Sequence, residues 1–568
     1  MFASLPRTAD ELMRWTRPDI QPYYQDLAAR TLTVETVALW LSDWSRLSEC
    51  VVEMQNRLTV ATTVNTADAE ADRRYTAFLD TIYPAAQAAE QRLKEKLLAS
   101  GLEPNGFEIP LRNLRAEAAL FREANLPLLA EEKKLITEYD KIVSAQTVMW
   151  EGQEITLLQL QPVYLDPDRA VRERAWRLAM DRRLADRQAI SDLWAKFLRL
   201  RKQIAANADF GDDYRAYRWP QLLRFDYTPA DCETFHRAIE EVVIPAANRI
   251  YERRRKRLGV ETLRPWDLNV DPLGRSPLRP FETIDELQSK TSAIFHRVDP
   301  QLGARFDTMI REGLLDLDNR KNKAPGGYCT EFAAIRRPFI FMNAVGLHDD
   351  VQTLLHEGGH AFHVFESARL PYLHQMQVGL EFAEVASMGM ELLAAPYLAA
   401  QHGGFYSDAD AARARVEHLE QAILFWPFMA VVDAFQHGVY ENPDTAFDPD
   451  NCDAQWAALW NRFMRGVDWS GLEQEIITGW QRKGHIHQDP FYYVEYGFAQ
   501  LGAVQVWRNA LKDQAGSVAS YRRALSLGGT APLPQLFEAA GAKFALDAGT
   551  LREAVGLMEE TIARLDPQ

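Results

Sequence analysis

His356-Glu357-Gly358-Gly359-His360 reads H-E-x-x-H, and its spacing has a chemical reason. Residues i and i+4 of an α-helix lie one above the other on one face. Two imidazoles placed so bind one Zn²⁺ from one side, and a Glu beside the first His is positioned to deprotonate a water. The flanks predict a helix. Asp349-Asp350 favour its N-terminus, and Val351, Leu354, Leu355, Ala361, Phe362 and Phe365 recur at helical intervals. Gly358 and Gly359 are costly inside a helix, about 1 kcal/mol each relative to Ala. They predict a close approach of another element to this backbone. With 12 His in 568 residues, chance supplies the motif only about 0.02 times in such a chain.

A zinc site of this kind needs a third protein ligand and an open position for water. A His at the metzincin spacing would fall at 366, which is Glu366, and position 363 holds His363, not Gly, so that variant is excluded. The segment LEFAEVASMGMELL instead carries Glu381, Glu384 and Glu391, near one helical face. Carboxylates among Phe382, Val385, Ala386 and Met388 are expensive to bury without a cation. Glu381 is read as a solvated surface acid.

The rest of the composition narrows the class. A chain of 568 residues is too long for one compact core. Hydrophobic content of 47% with 25% charged residues is that of a globular enzyme, and a net charge of −16 argues against a phosphate-backbone binder. No nucleic-acid partner is expected. The N-terminus MFASLPRTADELMRW lacks a basic region followed by an apolar one. The most apolar window, 422–432, is interrupted by Pro427 and is too short to span a bilayer. Cys50, Cys232, Cys329 and Cys452 are scattered, as free thiols in a reducing compartment are. A cytoplasmic protein with no membrane partner is the expectation.

Helical pattern dominates the first 220 residues: 66–100 ending at Gly101, then 130–144 and 168–206. TVMW-EG-QEITLLQL, near 147–160, reads as a small hairpin turning at Glu151-Gly152. A further helix begins at Thr228-Pro229 and ends in the basic run 253–257, read as a solvated helix end. Residues 265–280 form a Pro-rich connector. Phe339-Ile340-Phe341-Met342-Asn343 reads as a strand just before the HEGGH helix, with two roles open: a shelf for an extended peptide, or a buried strand with both edges occupied. From Glu381 onward the pattern is helical again, interrupted at 484–496.

GGYC, RRPFIFMN, LLHEGGHAFH, FAEVASMGMELL and GHIHQDPFYYVEYGFAQ, taken in that order from about residue 320 to 505, resemble the oligoendopeptidase F and Pz-peptidase branch of the thimet oligopeptidase family. Weaker similarity extends through DDYRAYRW, and the first hundred residues match only in being helical. The resemblance implies a mainly α fold: a two-lobed helical zincin with a deep channel between the lobes and a small β element beside the zinc helix. It places the third ligand at Glu384, leaving Glu391 to support a ligand from behind. Peptide hydrolysis also needs neutral donors for the developing oxyanion. The resemblance assigns that work to His485, Tyr493 and Tyr496, with Tyr492 or His487 as alternatives.

The resulting expectation is a zinc-dependent oligoendopeptidase that hydrolyses internal bonds of short unstructured peptides. One Zn²⁺ per chain is held by His356, His360 and Glu384, and Glu357 acts as general base. The chain is divided into an N-terminal helical lobe, 1–220, and a catalytic region, 221–568. Two alternatives remain: a carboxypeptidase of similar fold, with Arg336 or Arg337 gripping a terminal carboxylate, and a non-catalytic peptide-binding scaffold with a relic metal site.

Overall fold

The computed structural model describes residues 1–566 apart from 7, 158, 321 and 325. Helix follows helix, with two small sheets built from β1 (Thr147–Trp150), β2 (Gln153–Thr156), β3 (Leu315–Asp318), β4 (Tyr328–Phe332) and β5 (Arg337–Ala344). The chain folds as two compact units, each gathered from three stretches. Unit 1 takes Met1–Ala119, Leu278–Ala414 and Ala499–Phe544; unit 2 takes Leu120–Pro277, Arg415–Phe498 and the chain from Ala545. Neither unit is bounded at 220, where the sequence reading drew its division.

In unit 1 the order β3-β5-β4 puts β5 in the middle, parallel to β3 and antiparallel to β4. Both edges of Phe339–Asn343 are therefore occupied, and the strand is buried. Of its two roles, the shelf is excluded. The outer strand on one side is β4, where Asn56 of the helix Val37–Val64 donates to the Glu331 carbonyl at 2.8 Å.

The helix His348–Ser367 follows β5 directly. Asp350 caps it by reaching back, its Oδ2 accepting from the amides of Val345 and Leu347 at 2.8 Å each. Val351, Leu354, Leu355, Ala361 and Phe362 are buried as the periodicity requires, and Phe365 is half-buried. The helix Leu380–Ala394 packs against this one at Gly359, and Phe295 of the helix Ile284–Val298 packs against it at Gly358. A Cβ on Gly359 would stand 2.4 Å from the Ala386 carbonyl oxygen, and one on Gly358 would stand 2.5 Å from the Phe295 ring. Here the missing side chains allow the approach that the sequence predicts.

The other helices depart from the sequence reading where local chemistry intervenes. Residues 66–100 form Ala69–Ala77 and Tyr83–Ser100, joined by a π-helical turn at Phe78–Ile82, and Gly101 closes the second with φ +66°. The stretch 168–206 breaks at Asp186 into Arg169–Ala185 and Arg187–Asn207. The hairpin pairs Val148 with Ile155 and turns at Glu151-Gly152, its second strand ending at Thr156; Leu158, within the segment 147–160, lies outside the described residues. The basic run is not simply solvated: Arg253 pairs with Glu420, Arg257 with Asp566, and Arg254 donates to the Asp267 carbonyl at 2.8 Å.

By length and composition one helix among the described residues, Asp408–Glu441, is capable of crossing a membrane. It runs on through Pro427, so the apolar window is longer than the sequence reading allowed. With 72% of that window buried within the protein, its apolar character is that of a core helix.

Candidate active site

His356 and His360 project from one face of their helix toward Glu384 on the neighbouring helix. His356 Nε2 lies 3.3 Å and His360 Nε2 3.7 Å from Glu384 Oε2. One ligand atom from each residue lies within 4.8 Å of the others. Two imidazole nitrogens and one carboxylate oxygen make a donor set of the kind that suits Zn²⁺.

Groups behind these three fix their orientation. His356 Nδ1 lies 2.6 Å from Glu391 Oε1. That contact puts a proton on Nδ1, so Nε2, which faces Glu384, is the nitrogen available to a metal that displaces its proton. Glu384 Oε2 accepts from the Ser387 hydroxyl at 2.8 Å. Tyr521 donates to the Ala386 carbonyl at 2.6 Å, tying the same helix turn in place. Ser387 and Tyr521 escaped the sequence reading. Ser387 stood three residues from Glu384 as a weak signal, and nothing local pointed to Tyr521.

Glu357 sits on the same helix, 8% exposed, and is not one of the three converging groups. Burial pushes its carboxyl up to about 7, opposed by His356 and by the backbone at Cys329 on β4. Burial lowers His360 to about 4. For His356, burial is overridden by Glu384 and Glu391, which raise it well above the usual imidazole value. His356 and His360 in turn hold Glu384 below the carboxylate range despite its burial. Glu381 is 5% exposed, so the expectation of a solvated acid is corrected, and it stands outside the converging group.

Unit 2 assembles the Gly/His/Tyr segment. His485 lies in the short helix Gly484–Gln488, and Tyr496 in the helix Val494–Ala510. Ring centroids of His485 and Tyr493 are 5.1 Å apart, of Tyr493 and Tyr496 5.6 Å, and of Tyr492 and Tyr496 5.0 Å. Buried cations and one amide anchor the backbone. Arg201 holds the His487 carbonyl, Arg224 donates to that of Phe491 at 2.6 Å, and Gln436 accepts from the Phe491 amide at 2.7 Å. Burial lowers His485 to about 4 and raises the Tyr493 hydroxyl. Both are therefore neutral hydrogen-bond donors near pH 7. His487 is fully buried, stacked between Tyr139 at 4.4 Å and Trp480 at 5.9 Å. It is a packing residue, which removes it as an alternative to His485.

Comparison with known proteins agrees with this chemistry. The profile of peptidase family M3 matches residues 164–555. A solved structure named as an oligoendopeptidase F is 28% identical, covering 100% of this chain and 99% of that one with a TM-score of 0.87. PZ peptidase A with an inhibitor is 28% identical, covering 100% of each chain at a TM-score of 0.87. An oligoendopeptidase F from Bacillus anthracis shares the fold, at 23% identity, 97% coverage of each chain and a TM-score of 0.84. No curated protein matches. With its family profile covering more than half of the sequence, the chain belongs to peptidase family M3 and is a metallo-oligopeptidase.

Proposed function

We propose that the chain is a zinc-dependent oligoendopeptidase, with His356, His360 and Glu384 as the metal ligands. The observation that carries this reading is the convergence of two Nε2 atoms and Glu384 Oε2, with Glu391 on His356 Nδ1. Bound zinc supplies Lewis acidity, polarising the scissile carbonyl and lowering the pKa of water. Glu357 takes the proton from the attacking water and delivers it to the leaving amine. Glu391 keeps His356 in the tautomer whose Nε2 is free to ligate. His485, Tyr493 and Tyr496 are the neutral donors assigned to the oxyanion. The four cysteines, none of them in a disulfide, support a reducing, cytoplasmic location.

The carboxypeptidase alternative loses its candidates. Arg336 donates to Glu49 at 2.9 Å and to the Leu370 carbonyl at 2.8 Å, and Arg337 pairs with Glu312 at 2.8 Å. Both guanidiniums are committed within unit 1. The test is metal analysis together with mass spectrometry of an internally quenched peptide series of increasing length, beside casein. Internal cleavage that needs metal and falls steeply with length is expected. Release of single C-terminal residues, or casein digestion as fast as that of short peptides, overturns the proposal.

A further inference from the structure

Unit 2 holds a second set of metal-ligating side chains. Cys232 and His236 stand at i and i+4 on the helix Pro229–Ala238, and Asp433 and His437 stand at i and i+4 on the helix Asp408–Glu441. This is the spacing that puts two side chains on one helix face. Ligand atoms of Cys232, Asp433 and His437 all lie within 4.8 Å of one another. His236 Nε2 is 2.9 Å and His437 Nε2 3.3 Å from Asp433 Oδ2.

Burial makes the cluster expensive. Cys232 and Asp433 are 0% exposed, and His236 and His437 are each 4% exposed. Asp433 Oδ1 is buried with no hydrogen-bond partner among the described residues, and His437 Nε2 has only its ion-pair contact with Asp433 Oδ2. A buried carboxylate oxygen without a partner, inside a cluster of metal-ligating atoms, points to a ligand there. Arg215, the nearby cation, approaches His437 Nδ1 at 3.2 Å and also donates to Glu441, so its charge is already answered there.

We propose that Cys232, Asp433 and His437, with His236 beside them, form a second metal site, which takes a divalent ion of zinc's class and has a structural role. A thiolate, a carboxylate and neutral imidazoles sum to two negative charges, which one dication neutralises. Sulfur and imidazole donors select Zn²⁺ or Co²⁺ over Mg²⁺ and Ca²⁺. On binding, the Cys232 thiol releases its proton to solvent. His437 ligates through Nε2 with its proton on Nδ1, and Arg215 then turns to Glu441 alone. The set is closed to solvent, so its effect is to fasten together two stretches of unit 2 that are distant in sequence.

Cobalt separates the two sites, because only this one contains sulfur. The full chain is produced in cobalt-supplemented minimal medium, so that a buried site loads during folding. Two equivalents of Co²⁺ per chain are expected, with thiolate-to-cobalt charge-transfer absorption in the near ultraviolet. Glu384→Ala keeps that absorption and one equivalent, whereas Cys232→Ser loses it. Absence of the absorption from the wild type, or its persistence in Cys232→Ser, overturns the proposal. Should Cys232→Ser not fold, X-ray absorption at the cobalt edge of the Glu384→Ala protein decides. Sulfur in the ligand shell supports the site, and an all-nitrogen-and-oxygen shell refutes it.

Discussion

Glu357, Glu384 and Glu391 are three carboxylates on two adjacent helices, given different work by what each one faces. Glu384 faces both imidazoles, Glu391 faces the back of one of them, and Glu357 faces β4. Glu357→Gln keeps the shape and removes the base, so metal content is expected to stay near wild type. Turnover should fall by roughly 10²–10⁴-fold, measured as kcat beside metal stoichiometry. Loss of metal in this variant would make Glu357 a ligand. Glu391→Ala frees the His356 ring and is expected to weaken metal affinity by about 10–100-fold, read by competition with a chromophoric chelator. Tyr496→Phe removes a hydroxyl whose proposed partner gains charge only in the transition state. A drop of about 10²–10³-fold in kcat with KM little changed is expected; a change in KM alone would reduce Tyr496 to a substrate contact.

At the scale of elements, the site depends on how closely two helices approach. The Ala386 carbonyl and the Ser387 Cα occupy the space where a Gly359 side chain would stand, at 2.4 and 2.6 Å from its Cβ. Both atoms are backbone, so neither yields as a flexible side chain would. Gly359→Ala therefore pushes the Glu384 helix away from His356 and His360. A loss of roughly 1–3 kcal/mol by overpacking is expected, measured by denaturant unfolding, together with weaker metal retention. Wild-type stability and metal affinity in this variant would show that the contact relaxes at no cost. The helix pair carries all three ligands, so its spacing sets the geometry of the site.

At the scale of the whole molecule, acid stability follows from a half-buried histidine in unit 1 and a fully buried one in unit 2, both held neutral. His374 in unit 1 packs against Trp44 at 4.3 Å and Phe107 at 5.9 Å, and burial pulls it from 6.5 to about 3. His487 in unit 2 is pulled by burial from 6.5 to about 3. Below pH 6.5 the unfolded chain binds protons that the folded chain refuses, so stability is full above that pH and is lost as the pH falls toward 3. Each histidine contributes a slope of up to about 1.4 kcal/mol per pH unit in that window. His374→Phe should therefore make the acid limb of an unfolding curve shallower and leave the neutral plateau little changed. An unchanged acid limb would mean that His374 already titrates in the folded protein.

The sequence by itself determined the site's local parts. HEGGH fixed a helix face bearing two imidazoles, the glycine pair predicted a close helix approach, and the 381–391 segment put three acids within reach. These are readable because helical periodicity is local: side-chain direction follows from spacing alone. Tertiary structure decided the rest. Burial of Glu381 and the packing of His487 among Trp480 and Tyr139 depend on residues far away in the chain. The pairing of β5 on both edges, and the commitment of Arg336 to Glu49, depend on which segments arrive beside them. The two units take their residues from three stretches each, so no single boundary in the sequence was able to mark them. Cys232 and His437 are brought together in the same way. Each pair, Cys232 with His236 and Asp433 with His437, is legible on its own helix. Their convergence is a property of packing, because periodicity aims a side chain and only the fold chooses what it meets.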